Sequence, residues 1–332
     1  MERANWPTAC WEMSAPEEQG MSSTKLESLV AFGRAADFDS LLVTRRGKIV
    51  TEAYYAPFQK GQTHALNSAT KSVVGIITGI AIRSGLLDTV DHPVLDFFRD
   101  RKITGGDAHK QAMTIKHLLD MTSGLDWTEP LTGIPETALQ MGNSRDRVQF
   151  VLDRPMAQPP GKGFNYNSGS SHLLSAILTR VLGRNAFDFA QEKLFPPLGI
   201  ADAIWESDPQ ENSLGGRGLH LQPRDMAKIG YLCLKGGQWD GAQLLPPSWI
   251  SEITNATFQM HLLGRLDFRY ANLFWTLPAR HAYMAVGFNS QIILVLPRLE
   301  IVAVATGRAP PPFSKLIEGI VQSVKTDENE LS

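Results

Sequence analysis

The sequence predicts an α+β fold, in which an antiparallel sheet flanked by helices is interrupted by a mostly helical insertion. Strand-like apolar runs lie near the start of the chain, at 41–55, and near its end, at 272–305. Between them, from about 86 to 254, apolar residues recur mainly with helical spacing. Strands from both ends of a chain can share one antiparallel sheet, and 332 residues suffice for a second, inserted unit.

The individual elements follow from periodicity and from start and stop signals. The expected helices, in which apolar residues recur every three to four positions, cover residues 25–36, 68–85, 115–121, 145–153, 170–182, 186–194, 223–234, 248–254 and 313–324. The expected strands are two within 41–55, joined at Arg46–Lys48, followed by 272–277, 281–286, 291–296 and 301–305. A capping box, Thr24 to Glu27, opens the first helix, and residues 326–332 form a polar tail.

This pattern predicts two domains. Residues 1–67 and 256–332 form a discontinuous α/β sheet domain, and residues 68–255 form the mostly helical domain. Clefts commonly lie where two domains meet. We therefore expect the active site at the junction, close to residue 68.

The composition excludes several classes of protein. The chain is 43% apolar and 20% charged with a net charge of −2, so it lacks the basic surface of a nucleic-acid-binding protein. Its longest apolar run is too short to span a bilayer, and no apolar signal core opens the chain. We expect a cytoplasmic protein, or a periplasmic or secreted one if a leader was removed. No histidine has metal-ligand spacing and no phosphate or dinucleotide fingerprint occurs, so neither a metal nor a cofactor is predicted.

The most distinctive stretch is Ser68-Ala69-Thr70-Lys71, at the start of a helix that is apolar almost all round. Residues three apart share a helix face, so the Ser68 hydroxyl and the Lys71 amine are expected to point the same way. A hydroxyl becomes a nucleophile when a base takes its proton, and a buried lysine can be that base. The same spacing at Ser22 and Lys25, where a helix cap explains it, shows that the motif alone leaves a structural role open.

Later stretches hold further candidates. Tyr166 lies between a Pro-Pro-Gly turn and an apolar helix and could relay a proton, although a packed tyrosine is the simpler alternative. Gly287 allows close approach of a ligand to the backbone, whose N–H groups could bind an oxyanion; an ordinary bulge is the alternative. Trp127 is a candidate substrate contact, but such tryptophans are more often core residues.

The ordered set of motifs resembles the class C β-lactamases and penicillin-binding-protein-like serine hydrolases, in particular family VIII esterases and nylon-oligomer hydrolases. The stretches that carry the resemblance are Ser68–Lys71, Thr114–Leu125, Phe164–Tyr166, Gly215–Leu219 and Asp225–Lys228. It extends over about residues 15–320. The resemblance implies the β-lactamase/DD-peptidase-like fold.

The resemblance also implies roles for single residues. Ser68 attacks a carbonyl and forms an acyl-enzyme, with Lys71 as the general base. Tyr166 matches the tyrosine of the Tyr-x-Asn element and passes the proton to the leaving group. The oxyanion hole consists of the backbone N–H groups of Ser68 and Phe288, and Gly287 lies beside it.

Two departures from the family pattern affect the choice of substrate. Ser168 stands where the Tyr-x-Asn element has its amide, and is a candidate substrate contact. Ala285-Val286-Gly287 stands where the family has Lys-Thr-Gly, so the cation and the hydroxyl that hold a substrate carboxylate are missing. Cations that could replace them are His281, Arg217 and Arg308.

We therefore expect a serine hydrolase that cleaves a carboxylic ester or a small amide. The alternatives are a β-lactamase or DD-peptidase acting on cell-wall-like substrates, and a catalytically silent binding module. The expected partner is a small ester, amide or lactam; neither a nucleic acid nor a membrane span is expected. The sequence does not indicate an oligomeric state.

Ser68→Ala should abolish turnover and covalent labelling by a fluorophosphonate, because Ser68 is the hydroxyl that the lysine of the buried helix is expected to face. Labelling is measured by mass spectrometry of the intact protein, with circular dichroism as a check on folding. Ser22→Ala is the matched control and should label as the wild type does. Labelling of Ser68→Ala at the wild-type rate would show that the nucleophile is another residue.

Overall fold

The computed structural model describes residues 6–131, 133–256, 258–262 and 266–325. The polar tail expected at 326–332 lies outside the described residues. The helices are α1 (Ser23–Ala35), α2 (Thr70–Arg83), α3 (Ala108–Gln111), α4 (Ile115–Leu119), α5 (Glu136–Asn143), α6 (Arg147–Leu152), α7 (Ser168–Leu182), α8 (Ala186–Lys193), α9 (Phe195–Leu198), α10 (Pro223–Leu234), α11 (Pro247–Thr254) and α12 (Phe313–Ser323). None of the described helices has the length and apolar character needed to cross a membrane.

The strands form one large sheet and two small ones. They are β1 (Glu12–Met13), β2 (Phe38–Arg45), β3 (Lys48–Tyr54), β4 (His64–Ala65), β5 (Ile204–Trp205), β6 (Leu219–Leu221), β7 (Gln238–Trp239), β8 (Ala242–Gln243), β9 (Phe258–Leu262), β10 (Leu266–Ala271), β11 (Phe274–Leu277), β12 (Ala282–Gly287), β13 (Gln291–Leu296) and β14 (Ile301–Gly307). The large sheet has nine strands in the order β1-β3-β2-β14-β13-β12-β11-β10-β9. Its pairings are antiparallel apart from the parallel pair β1–β3. The expected α+β architecture, with a sheet built from both ends of the chain, is confirmed.

The central strands of the large sheet are covered on both faces. Every residue of β2 and of β14 is buried, which fits their continuous apolar runs. Helix α10 packs against β2, β13 and β14, while α1 contacts β2 and packs against α12. This core holds β12 rigidly, and the C-terminal end of β12 reaches the candidate site.

Two local predictions are wrong. Ser22, and not Thr24, is the N-cap of α1, since its side chain accepts a hydrogen bond from the Lys25 N–H. Asn272 and Leu273 do not start a strand: their φ angles of 48° and 64° are left-handed. They form the tight turn between β10 and β11, a geometry that antiparallel hairpins favour.

Helix α2 connects the sheet to the helical part of the chain. Its residues from Thr70 to Ala81 are all buried, and it packs against α7, α8, β11 and β12. The approach to the sheet is close at Gly75, where an added Cβ would lie 2.5 Å from the Asn272 carbonyl oxygen. The close packing of α2 against the β10–β11 turn therefore requires a residue without a side chain at position 75.

Gly75→Ala should lower the free energy of unfolding by about 1–3 kcal/mol, because the added methyl forces the backbone of α2 and the β10–β11 turn apart. Denaturant unfolding at equilibrium measures this loss. The matched control is Gly142→Ala, a helical glycine of α5 with no atom within 4 Å of the added Cβ, where alanine should stabilise the protein by up to about 1 kcal/mol. Equal effects of the two substitutions would contradict the tight fit.

Candidate active site

The candidate nucleophile lies in a tight turn at the start of α2. Residues Asn67–Ala69 form one turn of 3₁₀ helix, which passes directly into α2 at Thr70. Ser68 is partly exposed, whereas Lys71 is only 1% exposed. The Lys71 Nζ lies 3.0 Å from the Ser68 Oγ, so the spacing of three residues brings amine and hydroxyl into hydrogen-bond contact as expected.

The surroundings of the Lys71 amine are uncharged. Its Nζ donates a hydrogen bond to the Gly216 carbonyl oxygen at 3.2 Å and lies 4.8 Å from the centre of the Tyr166 ring. Within the described part of the chain it forms no ion pair with a carboxylate. The amine therefore has three uncharged neighbours, which are the Ser68 hydroxyl, the Gly216 carbonyl oxygen and the Tyr166 ring.

Tyr166 is held by aromatic neighbours. It is 9% exposed. Its ring packs edge-on against Tyr270, with the ring centroids 6.3 Å apart, and at a tilt of 31° against Trp275, with the centroids 5.7 Å apart. Burial raises the pKa of the Tyr270 phenol well above its usual value, with the neighbouring Tyr166 adding to the effect. Tyr270 therefore stays protonated, and its ring packs against that of Tyr166. Tyr166 is the phenol that lies beside the Lys71 amine.

Ser168 and Trp127 are connected by a carboxylate that the sequence analysis missed. Glu129 accepts hydrogen bonds from the Ser168 hydroxyl at 2.5 Å, the Ser168 N–H at 2.7 Å and the Trp127 indole N–H at 2.7 Å. The Trp127 ring is 5% exposed and packs against Gly169. Glu129 belongs to no motif, so its position in the site is seen only from its contacts with Ser168 and Trp127 in the folded protein. Among the described residues, it forms no ion pair.

The end of β12 lies against the Ser68 turn. A Cβ added at Gly287 would lie 2.1 Å from the Leu66 carbonyl oxygen and 3.1 Å from the Ala69 nitrogen, so only glycine fits there. The Asn67 side chain donates a hydrogen bond from Nδ2 to the Phe288 carbonyl oxygen at 3.0 Å. The Phe288 backbone is thus beside the Ser68 turn, although its side chain is 70% exposed.

A buried histidine supports the carbonyl that holds Lys71. The Gly215 N–H donates to His172 Nδ1 at 3.4 Å, and His172 Nε2 lies 3.0 Å from Asp208 Oδ2. Burial acts to raise the pKa of Asp208, but hydrogen bonds from His172 and Asn212 outweigh it, so the pKa is lowered and Asp208 is a carboxylate. This pair was also missed; its one signal is that His172 lies one helical turn after Ser168.

The structure brings together most of the expected site. Lys71 contacts both Ser68 and Tyr166. The end of β12, with Gly287 and Phe288, flanks the Ser68 turn. Ser168 lies beside Gly216, where an added Cβ would be 3.1 Å from the Ser168 hydroxyl. Trp127 connects to this group through Glu129. The chemical role of each of these residues remains a prediction.

The cations considered as substitutes for the missing lysine are placed differently. Arg308 is committed to an ion pair with Asp37 at 2.6 Å and to another with Asp39 at 3.1 Å. His281 precedes β12 at the end opposite Gly287, about 20 Å away at the usual rise of a strand. Arg217 is exposed and directly follows Gly216.

The chain is similar in sequence to a known family and to several characterised enzymes. A family model described as Beta-lactamase matches residues 28–312. The chain is 23% identical to the 6-aminohexanoate-dimer hydrolase of Paenarthrobacter ureafaciens over 87% of this chain and 77% of that protein. It is 26% identical to the lovastatin esterase of Penicillium rubens over 54% of this chain, which corresponds to 49% of the esterase.

Solved structures share the fold. A penicillin-binding protein homologue from Caulobacter crescentus superposes with a TM-score of 0.73 at 18% identity, covering 93% of this chain and 98% of the other. At this identity the likeness concerns the fold alone. It confirms the β-lactamase/DD-peptidase-like fold that the motifs imply.

Lys71→Ala should slow acylation by at least about 1000-fold, because the Ser68 hydroxyl loses the base in contact with it. Groups that act as one unit have non-additive effects. Adding Tyr166→Phe to Lys71→Ala should therefore cost much less than Tyr166→Phe costs alone. Single-turnover rates of the four proteins give the coupling. Additive losses would mean that Tyr166 acts independently of the amine.

Proposed function

Because the chain belongs to the beta-lactamase family, it is a serine hydrolase, and we propose that it cleaves carboxylic esters or small amides through an acyl-enzyme on Ser68. The observation that carries the proposal is the contact of 3.0 Å between the Ser68 hydroxyl and a lysine amine that is 1% exposed. An amine in contact with a partly exposed hydroxyl can activate it for attack on an incoming carbonyl.

Acylation starts with attack of the Ser68 oxygen on the substrate carbonyl carbon. The Lys71 amine takes the hydroxyl proton as the new bond forms. The carbonyl oxygen becomes negative and is bound by the backbone N–H groups of Ser68 and Phe288. Tyr166, whose ring lies against the amine, gives its phenol proton to the leaving alcohol or amine as the tetrahedral intermediate collapses, and it takes up in return the proton that Lys71 had accepted.

Deacylation repeats these steps with water as the nucleophile. The water attacks the ester carbonyl of the acyl-enzyme and gives one proton to the Lys71–Tyr166 pair. The oxyanion forms again at the same two N–H groups. Collapse returns the proton to the Ser68 oxygen and releases the carboxylic acid.

The electrostatics of the site favour neutral esters over substrates with a carboxylate. Ala285 and Val286 offer neither a cation nor a hydroxyl to such a group. The Glu129 side chain lies close to Ser168 and already accepts the hydrogen bond that the Ser168 hydroxyl donates. A carboxylate that enters this cleft would be desolvated without a partner, which is costly. Arg217 is the remaining cation of those considered, since Arg308 is paired and His281 is remote.

Short-acyl p-nitrophenyl esters should be hydrolysed with a much higher kcat/KM than nitrocefin. A charge-assisted hydrogen bond is worth about 1.5–3 kcal/mol, so its absence should weaken the β-lactam transition state by about 10- to 100-fold. The measurement compares p-nitrophenyl butyrate with nitrocefin for the wild type. Ser68→Ala is the control for each substrate.

Arg217→Ala tests the one remaining cation. If Arg217 holds a substrate carboxylate, the substitution lowers nitrocefin turnover and leaves butyrate turnover unchanged. Equal efficiency of the wild type on the two substrates would replace the esterase assignment with a β-lactamase.

A further inference from the structure

We infer that Asn67 is a positioning residue of the oxyanion hole: its side chain fixes the Phe288 backbone against the turn that carries Ser68. The inference rests on the proposed function, and it assigns a role to a residue outside the Ser-x-x-Lys motif. Among the described residues, the hydrogen bond that the Asn67 side chain donates goes to Phe288 and not to Ser68 or Lys71. It acts on the two N–H groups that the oxyanion requires.

The backbone at Asn67 is unusual. Its φ angle is 48°, in the left-handed region, immediately before Ser68. Residues other than glycine rarely adopt this backbone conformation, and asparagine is among the few that tolerate it. This conformation starts the single 3₁₀ turn Asn67–Ala69, so it fixes the direction in which the Ser68 N–H points.

Glycine would fit this backbone at least as well, so the contribution of the asparagine is its side chain. The amide Nδ2 donates to the Phe288 carbonyl oxygen at 3.0 Å. The two residues are 221 positions apart, and the bond joins the turn before α2 to the end of β12. Both proposed oxyanion donors, the N–H groups of Ser68 and Phe288, therefore belong to residues that Asn67 controls directly.

No packing of the Phe288 side chain replaces this bond, because the side chain is 70% exposed. The residues that follow Phe288 are held by other contacts. The Ser290 hydroxyl donates to the Ala309 carbonyl oxygen at 2.8 Å, and the Gln291 amide donates to the Asn289 carbonyl oxygen at 2.9 Å. The Gln291 amide also donates to the Gly307 carbonyl oxygen of β14 at 2.9 Å. These bonds hold the loop to the end of β14 and the segment after it, whereas the Asn67 bond holds Phe288 to the turn that carries Ser68.

Two contacts fix the distance between β12 and the turn that carries Ser68. The contact at Gly287 prevents a closer approach, and the bond from Asn67 to Phe288 prevents separation. The Leu66 carbonyl oxygen occupies the space of a Gly287 side chain, so β12 cannot move closer to the turn. Without the amide, Phe288 can move away from Ser68. An oxyanion hole works when its donors already stand where the charge develops, so such a movement weakens the transition state more than the bound substrate.

The test uses Asn67→Gly, which keeps the left-handed backbone and removes the amide, and Asn67→Ala, which keeps Cβ. The matched controls are Asp240→Gly and Asp240→Ala. Asp240 is an exposed residue with φ 43° in the turn between β7 and β8, away from the site. Each pair thus has the same change of backbone freedom, and only one pair loses the bond to Phe288.

Thermal melting first shows which variants are folded, and three quantities are then measured for each of these. They are the rate constant of Ser68 labelling by a fluorophosphonate, kcat and KM for p-nitrophenyl butyrate, and the inhibition constant of butylboronic acid, which forms a tetrahedral adduct with the serine. Misplaced donors should lower the labelling rate and kcat by about 10- to 100-fold. Boronate affinity should fall with them, and KM should change by less than about threefold. The Asp240 variants should match the wild type.

Wild-type labelling rates for Asn67→Gly would overturn the inference, as would a raised KM with unchanged kcat, which indicates a substrate contact. If Asn67→Gly does not fold, Asn67→Ala against Asp240→Ala decides the question by the same criteria. These results leave the proposed function in place when the wild type hydrolyses the ester and Ser68→Ala does not. A wild type that neither labels nor hydrolyses the ester would remove the proposed function, and the inference with it.

Discussion

A lysine amine with 1% exposure must find its hydrogen bonds inside the protein, and much of the structure near the site follows from that requirement. The partners of Lys71 come from three places: Ser68 one turn earlier, the Gly216 carbonyl and the face of Tyr166. Each partner needs support of its own. The His172–Asp208 pair holds the segment that ends in Gly216, and the sheet supplies the aromatic wall behind Tyr166.

The site also depends on glycines where two parts of the chain meet without a side chain between them. At Gly75 the buried helix α2 approaches the β10–β11 turn, and at Gly287 strand β12 approaches the nucleophile turn. At Gly216 the backbone passes within contact of Ser168 and Lys71. Since interiors are close-packed, a methyl group at any of these points would displace one wall of the site.

The parts of the site that are local in sequence could be predicted, and the parts that depend on distant contacts could not. The Ser68–Lys71 contact follows from helical spacing, and the buried character of α2 follows from its composition. Glu129 and the bond from Asn67 to Phe288 depend on how separate elements pack, and the chain carries no periodic sign of them. Strand β10 was not predicted, although its pattern is local. Its half-buried Asp267 and Arg269 alternate with buried aromatic residues, and this period of two is visible in the sequence.

The order of the strands has a consequence for synthesis on the ribosome. Strand β2 pairs with β14, so that Leu42 lies opposite Val304, and the nucleophile turn is completed by Phe288. A nascent chain that ends before these residues has made α2 and Ser68 but lacks the strands that cover them. Such long-range pairing raises contact order and delays folding, while unpaired strand edges and apolar helix faces are prone to aggregate. The candidate site is therefore complete only after translation has passed the last strand of the sheet, and until then the apolar surface of α2 stays uncovered.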